Sequence, residues 1–517
     1  MGNVFIARHF GGEDLWEMQL LDAAATDRLA FILAQILKSG DLITLSGEVG
    51  AGKTTLARSI LRVLAQDPEI KAPSPTFTII QDYETLRGPV IHADFYRLSG
   101  PSDLIEIDWD DLTENSITLV EWPDIARDAL SPDRLEIFLD LDPISAERTA
   151  FLIGRGSFRQ RLSNLTAVEN LLDGTSWQDA VRIPIQGDAS TRIYERLQLP
   201  DGKSAILMIA PKQPDGPPIR RGRPYSAIAK LAESVHAFIA IDQGLLALGL
   251  SAPRIYLKNL EAGLLVLEDL GMQGITRDGA PIPERYHEAV HVLTKLHRVD
   301  LPHQLPITAS TDYQIPAYDQ EALTIETELL LDWYVPHIRG HDVSGSARSE
   351  FGHLWTKLLK PVLTEPLTWT MRDYHSPNLF WIEERESIRR IGLIDFQDTV
   401  LGSSSYDLVS LLQDARITIP ADLEMQLLAF YGSERKAANP AFNISSFAET
   451  YAIMGAQRAT KILGIFARLD KRDSKPQYLA HIPRLETYLV RNLNHPALAN
   501  LKNWYTKNLP HLFESKS

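Results

Sequence analysis

The chain has 517 residues, more than one hydrophobic core usually supports, so two or three domains are expected. A formal net charge of -15 disfavours a protein that grips nucleic acid directly. The absence of cysteine excludes disulfides, thiolate catalysis and cysteine-bound zinc or iron–sulfur clusters. The sequence shows neither a signal-peptide pattern nor an apolar run of the ~18 residues that cross a bilayer, so we expect a cytoplasmic protein without membrane contact.

The first third of the chain alternates short apolar segments with helical patterns. A helix is predicted at 54–64, and strands are predicted at 42–45, 77–80, 89–93, 117–120, 135–139 and 149–153. This order predicts an α/β domain with a mostly parallel sheet over residues 1–160. The polar, irregular segment 161–175 is interpreted as a linker.

One glycine-rich segment lies between a predicted strand and a predicted helix. Residues 47–54 fit the P-loop pattern G-x4-G-K-[ST] at every fixed position. Glycines let backbone N–H groups surround phosphate oxygens, and the N-terminal end of the helix adds positive potential. Lys53 can reach the β and γ phosphates, and the Thr54 hydroxyl can ligate Mg²⁺. We therefore expect a P-loop NTPase that hydrolyses a nucleoside triphosphate, with nucleotide contacts from Gly47, Glu48, Val49, Gly50, Ala51, Gly52, Lys53, Thr54 and Thr55.

Three further polar segments follow the P-loop in order. Thr76 lies in the stiff segment Ser-Pro-Thr-Phe, Asp94 ends a predicted strand, and Glu121-Trp122 follows the apolar strand 117–120. With the P-loop, these segments resemble TsaE over about residues 15–155. TsaE is the ATPase family of the bacterial machinery that makes threonylcarbamoyladenosine at tRNA position 37.

The resemblance implies a role for each of these residues. Thr54 and Glu121 would ligate Mg²⁺, and Asp94 would act in hydrolysis. Thr76 would belong to a nucleotide-sensing loop, and Trp122 would pack beside the site. The implied partners are TsaD- and TsaB-type subunits, through which tRNA is reached. The acidic run 103–114 is either a solvated face or a contact for such partners.

The order of predicted strands and helices changes near residue 177. Strands predicted at 181–185, 192–197 and 205–209 read as antiparallel, and helical patterns at 226–248 and from 284 onward follow them. This order predicts an α+β domain over residues 176–517. The Pro- and Arg-rich segment 211–224 is interpreted as a flexible loop.

The second domain contains a D-x4-N pattern and a later carboxylate. Asp373 and Asn378 form the pattern, and Asp395 follows the apolar run 391–394. In a kinase-like phosphotransferase one Asp accepts or orients the proton of the attacking hydroxyl, while an Asn and a second Asp hold Mg²⁺. Two surface loops with acidic turns are the alternative explanation.

These motifs resemble the aminoglycoside-phosphotransferase-like kinases over about residues 177–505. Gly-Asp-Ala-Ser at 187–190, Arg-Asp-Tyr-His-Ser at 372–376 and Asp-Phe-Gln-Asp at 395–398 most resemble the AmgK-type sugar kinases of cell-wall recycling. The resemblance implies a protein-kinase-like fold, with Asp373 as the catalytic base and Asn378 and Asp395 as Mg²⁺ ligands. It also implies a turn from Gly187 to Ser190 over the phosphates and an adenine hinge that includes Glu268 and Leu270.

Two residues depart from the wider kinase pattern. Met371 stands where a His is frequent, and Met208 stands where many of these kinases place the phosphate-binding Lys, with Lys203 and Lys212 out of register. The leading hypothesis is a bifunctional chain whose kinase phosphorylates N-acetylmuramate or N-acetylglucosamine. The alternatives are an aminoglycoside or choline-type acceptor, or a nucleotide-binding interaction module that has lost catalysis.

Overall fold

The computed structural model of the chain describes residues 6–10, 13–85, 87–144, 147–185, 192–212 and 216–514. Contacts within the chain divide it into two compact units, Met1–Ile209 with Leu257–Leu264, and Ala210–Tyr256 with Leu265–Ser517. The division falls after the third strand predicted for the second domain. The first unit therefore contains the predicted α/β domain and the strands that follow it.

The first unit contains all but one of the strands predicted for the α/β domain, together with elements before residue 42 that were not predicted. Its elements in chain order are β1 (Ile6–Phe10), β2 (Glu13–Leu20), α1 (Ala23–Ile36), β3 (Leu42–Ser46), α2 (Lys53–Ala65), β4 (Ile80–Thr85), β5 (Gly88–Asp94), α3 (Ser102–Glu106), α4 (Trp109–Thr113), β6 (Ile117–Glu121), β7 (Leu135–Leu141), β8 (Arg148–Gly154), α5 (Phe158–Leu172), β9 (Val181–Ile185), β10 (Ile193–Gln198) and β11 (Ser204–Ile209).

The α/β part is built on an eight-stranded sheet with the order β1-β2-β8-β7-β3-β6-β5-β4. The central strands β7, β3, β6 and β5 pair in parallel, whereas the outer pairs are antiparallel. The sequence rhythm thus predicted the centre of the sheet but not its edges. The register sets Leu45 and Asp94 opposite Glu121, so the ends of three strands meet at one edge.

The strand predicted at 77–80 is wrong, because β4 begins only at Ile80. Phe77 is exposed, and Ile79 adopts the left-handed conformation with φ 66°. The Ile79 N–H donates to the carbonyl of Pro75 at 2.6 Å, which closes a turn where a strand would have to extend. Alternation of apolar residues over four positions cannot reveal such a turn.

The linker predicted at 161–175 is also wrong, since Phe158–Leu172 is the helix α5. Phe158, Leu162 and Leu165 recur at helical spacing and pack into the core formed with α1, α2 and the sheet. Burial of this stripe stabilises a helix whose other faces are polar enough to resemble a linker. The helices α3 and α4 bury Leu104 and Trp109, and most of their acidic side chains are exposed.

The strands β9, β10 and β11 form an antiparallel meander, as predicted. The remaining elements in chain order are β12 (Pro218–Arg220), β13 (Arg223–Pro224), α6 (Tyr225–Ala229), α7 (Val235–Ala247), β14 (Ile255–Asn259), β15 (Leu264–Glu268), β16 (Thr276–Arg277), β17 (Ala280–Pro281), α8 (Pro283–Leu296), β18 (Gln304–Thr308), β19 (Thr311–Gln314), α9 (Gln320–Leu329), α10 (Gly345–Leu358), α11 (Lys360–Leu363), β20 (Thr368–Thr370), β21 (Leu379–Trp381), β22 (Ile391–Leu393), β23 (Val400–Gly402), α12 (Ser405–Leu412), α13 (Ala421–Ala438), α14 (Ile444–Asp473), α15 (Ile482–Leu493) and α16 (Ala499–Asn508). All of them belong to the second unit except the parts of β14 and β15 within Leu257–Leu264.

Helices dominate the second unit, as the sequence predicted. The 30-residue helix α14 packs against α9, α12 and α15. The segment predicted as a flexible loop contains the β12–β13 hairpin, in which Pro218 pairs with Pro224. Within the described ranges, no helix combines the length and apolarity needed to cross a membrane.

Two candidate nucleotide sites

The P-loop connects the end of β3 to the start of α2, as the motif requires. Gly47 has a φ of +134° and Gly52 a φ of +111°, conformations that L side chains rarely adopt. A Cβ on Gly47 would lie 2.3 Å from the carbonyl oxygen of Leu139, and one on Gly52 would lie 3.8 Å from the side chain of Arg148. The backbone conformation of the P-loop therefore requires glycine at these two positions. Arg148, which the sequence motifs did not single out, adds a guanidinium beside the loop.

The Lys53 ammonium lies within the loop itself. Its Nζ donates to the carbonyls of Gly47 at 2.8 Å and Glu48 at 2.9 Å, and lies 3.8 Å from the centre of the Trp122 ring. Burial lowers the pKa of Lys53, and the nearby carboxylates of Glu121 and Asp94 oppose that shift. Trp122 thus contacts the cation that the motif assigns to the phosphates.

Two of the predicted Mg²⁺ ligands are in direct contact. The Thr54 hydroxyl donates to Glu121 Oε2 at 2.9 Å, because the register of β3 and β6 brings P-loop and strand end together. The other carboxylate oxygen of Glu121 lies 2.9 Å from Nε2 of His92 on β5, which is fully buried. A hydroxyl and a carboxylate at a P-loop fit Mg²⁺, which usually takes few protein ligands plus phosphate oxygens. His92 was not predicted to have a role, although it precedes Asp94 by two positions on the same strand.

Asp94 is held by the loop that contains Thr76. Asp94 Oδ2 accepts hydrogen bonds from Ser74 Oγ at 2.8 Å and Thr76 Oγ1 at 2.6 Å, and Oδ1 accepts from the Tyr96 N–H at 2.9 Å. The carboxylate is buried. These bonds join the loop to the strand end beside Glu121, so a displacement of either affects the other.

In the second unit, Asn378 and Asp395 meet because two short strands pair. The strand β21 follows Asn378, and β22 ends just before Asp395, with Leu379 opposite Leu393. Asn378 Nδ2 lies 3.4 Å from Asp395 Oδ2 and donates to the carbonyl of Asp373 at 3.0 Å. The sequence-predicted triad is therefore assembled. Its amide and carboxylate oxygens fit Mg²⁺ bound mainly through phosphates.

Asp373 follows a residue held in the left-handed conformation, Arg372 with φ 69°. The Arg372 guanidinium forms an ion pair with the fully buried Glu326 and donates to the carbonyl of Ala229 at 2.9 Å. Glu326 also accepts from Lys461 at 2.9 Å. Burial alone would raise the pKa of Glu326, and the charges of Lys461 and Arg372 hold it below its usual value. This buried cluster, which no motif predicted, supports the strained start of the loop that carries Asp373.

Asp407 also supports this loop. Its two carboxylate oxygens accept backbone hydrogen bonds from Met371 at 2.7 Å and Arg372 at 2.9 Å. The loop is therefore positioned through its backbone, and the Met371 side chain is simply buried. Beside Asp373, burial lowers the pKa of His375 to about 4, so that its imidazole is uncharged at neutral pH. The Asp373 side chain is 41% exposed and thus accessible to a substrate.

The phosphate side of the kinase differs from the wider pattern, as the sequence indicated. Met208 is buried on β11, and Lys203 is an exposed residue paired with Asp201 at 2.7 Å. The predicted phosphate turn from Gly187 to Ser190 lies outside the described residues.

The predicted adenine hinge packs next to the β21–β22 strand pair, which brings Asn378 and Asp395 together. Glu268 ends β15 and accepts from Arg385 at 2.6 Å. A Cβ placed on Gly392 of β22 would lie 3.1 Å from Leu270 Cδ1. The hinge segment and the metal-ligand pair are thus parts of one packed region.

Two protein-family models match separate ranges of the chain. Residues 20–149 match the threonylcarbamoyl adenosine biosynthesis protein TsaE, and residues 182–441 match the phosphotransferase enzyme family. An N-acetylmuramate/N-acetylglucosamine kinase of Caulobacter vibrioides is 37% identical over 66% of this chain and 95% of its own length. A tRNA threonylcarbamoyladenosine biosynthesis protein TsaE of Rickettsia felis is 34% identical over 22% of this chain and 67% of its own length.

The chain joins a TsaE domain to a phosphotransferase-family kinase domain. An N-acetylmuramate/N-acetylglucosamine kinase of Pseudomonas aeruginosa is 32% identical over 62% of this chain and 86% of its own length. Both resemblances stated from the motifs are confirmed. The fusion of a TsaE domain and a phosphotransferase-family kinase is an ATP-using enzyme.

Gly47→Ala is expected to remove most ATP hydrolysis by the TsaE domain. The added methyl group would meet Leu139 O at 2.3 Å, and the φ of +134° is strained for alanine at a cost of about 1–3 kcal/mol. Gly50→Ala is the matched control, because Gly50 also has a positive φ but no atom lies within 4 Å of its Cβ. The measurement is steady-state hydrolysis without a sugar acceptor. Equal rates for the two variants would contradict the steric argument.

Proposed function

We propose that the second predicted domain, residues 176–517, transfers the γ-phosphoryl group of ATP to a sugar hydroxyl of N-acetylmuramate or N-acetylglucosamine. The observation that carries the proposal is the assembled triad of Asp373, Asn378 and Asp395 in a chain that matches nearly the full length of the Caulobacter kinase. A module that had lost catalysis has no need to keep these groups together.

The residues divide the reaction between them. Asp373 accepts the proton of the sugar hydroxyl while the hydroxyl oxygen forms a bond to the γ-phosphorus of ATP. The bond between the γ-phosphorus and the β,γ-bridging oxygen breaks, and ADP is released. Asn378 and Asp395 would hold Mg²⁺, which supplies neutralisation of the phosphate charge. Asp407 accepts hydrogen bonds from the Met371 and Arg372 backbone N–H groups. These bonds and the Arg372–Glu326 ion pair keep Asp373 in place.

The acceptor is tested by supplying purified full chain with ATP and, separately, N-acetylmuramate, N-acetylglucosamine, kanamycin and choline. ADP release identifies the accepted substrate, and phosphorus NMR identifies the phosphorylated hydroxyl. We expect turnover of the two N-acetyl sugars. Turnover of kanamycin or choline alone would establish the aminoglycoside or choline-type alternative, and ATP binding without any turnover would establish the lapsed module.

We propose that the first predicted domain, residues 1–160, hydrolyses ATP in support of threonylcarbamoylation of adenosine 37 in tRNA. The contact of Thr54 with Glu121 supports a Mg·ATP site, and the Asp94–Thr76 contact supports a loop that responds to nucleotide. We propose a cytoplasmic location, because both proposed activities use ATP and one of them concerns tRNA.

TsaD- and TsaB-type subunits are the proposed partners of this domain. Three large apolar side chains in or next to the P-loop site are exposed, with exposed fractions from 56% to 82%: Val49 of the loop, Phe77 next to Thr76, and Tyr96, whose ring lies 5.2 Å from that of Trp122. Such apolar side chains near a site favour a protein surface as the partner.

We expect tRNA to bind the partner subunits and not this chain alone. The net charge of -15 offers little attraction for a phosphate backbone. A gel-shift titration of tRNA with the full chain measures this, and it is repeated after partner subunits are added. Tight, salt-sensitive binding by the chain alone would contradict the expectation.

A further inference from the structure

The helix α5 lies between the ranges that the two family models match, 20–149 and 182–441. It carries Glu169, the only acidic side chain of this helix. The TsaE core holds one side of the helix through Phe158, Leu162 and Leu165. Glu169 is therefore attached to the TsaE core, although neither family model covers it.

Glu169 forms ion pairs with two arginines, one from each predicted domain. Arg28 of α1 lies 3.2 Å from Glu169 Oε2, and Arg182 of β9 lies 3.3 Å from Oε1. Arg182 also makes a two-bond contact with Glu195 of β10, at 2.6 and 3.2 Å. Arg28 further donates to the carbonyl of Gln178 at 3.1 Å, just before β9 begins. The network connects the TsaE domain to the first strands of the kinase.

The strand β9 buries its charged residue and exposes its apolar ones. Arg182 is 5% exposed, whereas Val181 and Ile183 are 49% and 46% exposed. Burial of a charge is costly unless partners compensate it, and Glu169 and Glu195 provide two carboxylates. This inverted pattern indicates that the face of β9 that carries Arg182 is packed against the rest of the protein, and not the face that carries Val181 and Ile183.

The opposite face of the same sheet carries Met208 of β11. Tyr194 pairs with both Ile185 and Met208, so these residues share a face, and Ile183, two positions before Ile185, lies on it as well. Met208 occupies the position at which many related kinases place their phosphate-binding Lys. Arg182 lies on the alternate face, so α5 contacts this sheet on the side opposite Met208.

We propose that Glu169 is a positioning residue for the kinase: through Arg182, helix α5 fixes the orientation of β9 and β10, and with them of β11, whose Met208 stands where related kinases place the phosphate-binding Lys. The inference rests on ATP binding by the kinase domain and not on the identity of its acceptor. The TsaE domain is then a structural part of the kinase.

The test uses the full chain with Lys53→Ala, so that the P-loop does not contribute to nucleotide binding. Glu169→Gln is expected to weaken binding of Mg²⁺ with a non-hydrolysable ATP analogue roughly fivefold by calorimetry. Asn170→Ala, an exposed neighbour on the same helix, is the matched control and should bind as the parent chain does. In turnover assays the KM for ATP should rise by the same factor while kcat changes less than about twofold.

The positioning role predicts that the effects of Glu169→Gln and Arg182→Gln on ATP affinity are not additive, because both variants lose the Glu169–Arg182 ion pair. Arg28→Gln, in which the Arg28–Glu169 pair is lost at a partly exposed residue, should weaken binding in the same direction if Glu169→Gln does not fold. Unchanged affinity in folded Glu169→Gln, or a fall in kcat at constant KM, would overturn the proposal. Failure of every sugar as an acceptor would instead overturn the proposed function, and the calorimetric result would still decide this inference.

Discussion

Asp373→Asn is expected to lower sugar phosphorylation by roughly 10²–10⁴-fold, the usual contribution of a positioned general base. The amide has the shape of the carboxylate but cannot accept the proton of the attacking hydroxyl. Binding of Mg·ATP should survive, because the Asp373 side chain is 41% exposed and Asn378 contacts only its backbone carbonyl. Turnover is measured with N-acetylmuramate, and binding is measured by calorimetry in the Lys53→Ala chain.

Asp395→Ala is the matched comparison, since it removes a proposed metal ligand instead of the base. Its loss leaves the phosphate charge less well neutralised, so Mg·ATP binding itself should weaken. Equal loss of nucleotide affinity in the two variants would mean that the roles are assigned wrongly. Full turnover by Asp373→Asn would mean that the site does not work as a kinase of this type.

Lys53→Ala is expected to lower ATP hydrolysis by the TsaE domain roughly 10²–10³-fold. The Lys53 ammonium is the cation placed within the loop, at 2.8 and 2.9 Å from two of its carbonyls, and phosphate oxygens would replace those carbonyls as its partners. The variant also removes the cation that packs on Trp122. Hydrolysis is measured without a sugar acceptor and with the partner subunits present.

Lys71→Ala provides the control for this prediction, because Lys71 is an exposed lysine of the same domain. It should hydrolyse ATP at the rate of the unmodified chain. Near-normal hydrolysis by Lys53→Ala would exclude the P-loop as the hydrolytic site. Sugar phosphorylation should be retained in Lys53→Ala, since Asp373, Asn378 and Asp395 belong to the other unit.

The sequence was sufficient for those features that depend on local spacing. The segment 47–54 predicted a turn between a strand and a helix, and the structure has β3 and α2 at these places. The pattern of Asp373, Asn378 and Asp395 predicted two neighbouring loops, and the β21–β22 pair brings them together. The sequence reveals such motifs because the reaction that they serve requires particular residues at fixed spacings along the chain.

Local patterns misjudged segments whose structure depends on distant groups. Residues 158–172 appear polar along the chain, yet one apolar stripe meets the TsaE core and makes them helical. At residue 79 the opposite occurs, because the hydrogen bond to Pro75 overrides an apolar run that favours a strand. In both cases a tertiary or turn contact outweighs the preference of the segment itself.

The sequence by itself determined the two ATP-using domains and the side chains that their chemistry requires. Only the tertiary structure decided which groups support those side chains: His92 beside Glu121, Glu326 beneath Arg372, and Glu169 against Arg182. These partners lie from 13 to 46 residues apart and carry no common motif. A buried charge needs a partner of opposite charge or a hydrogen bond, but folding can bring that partner from any element, so its identity is set by packing and not by spacing.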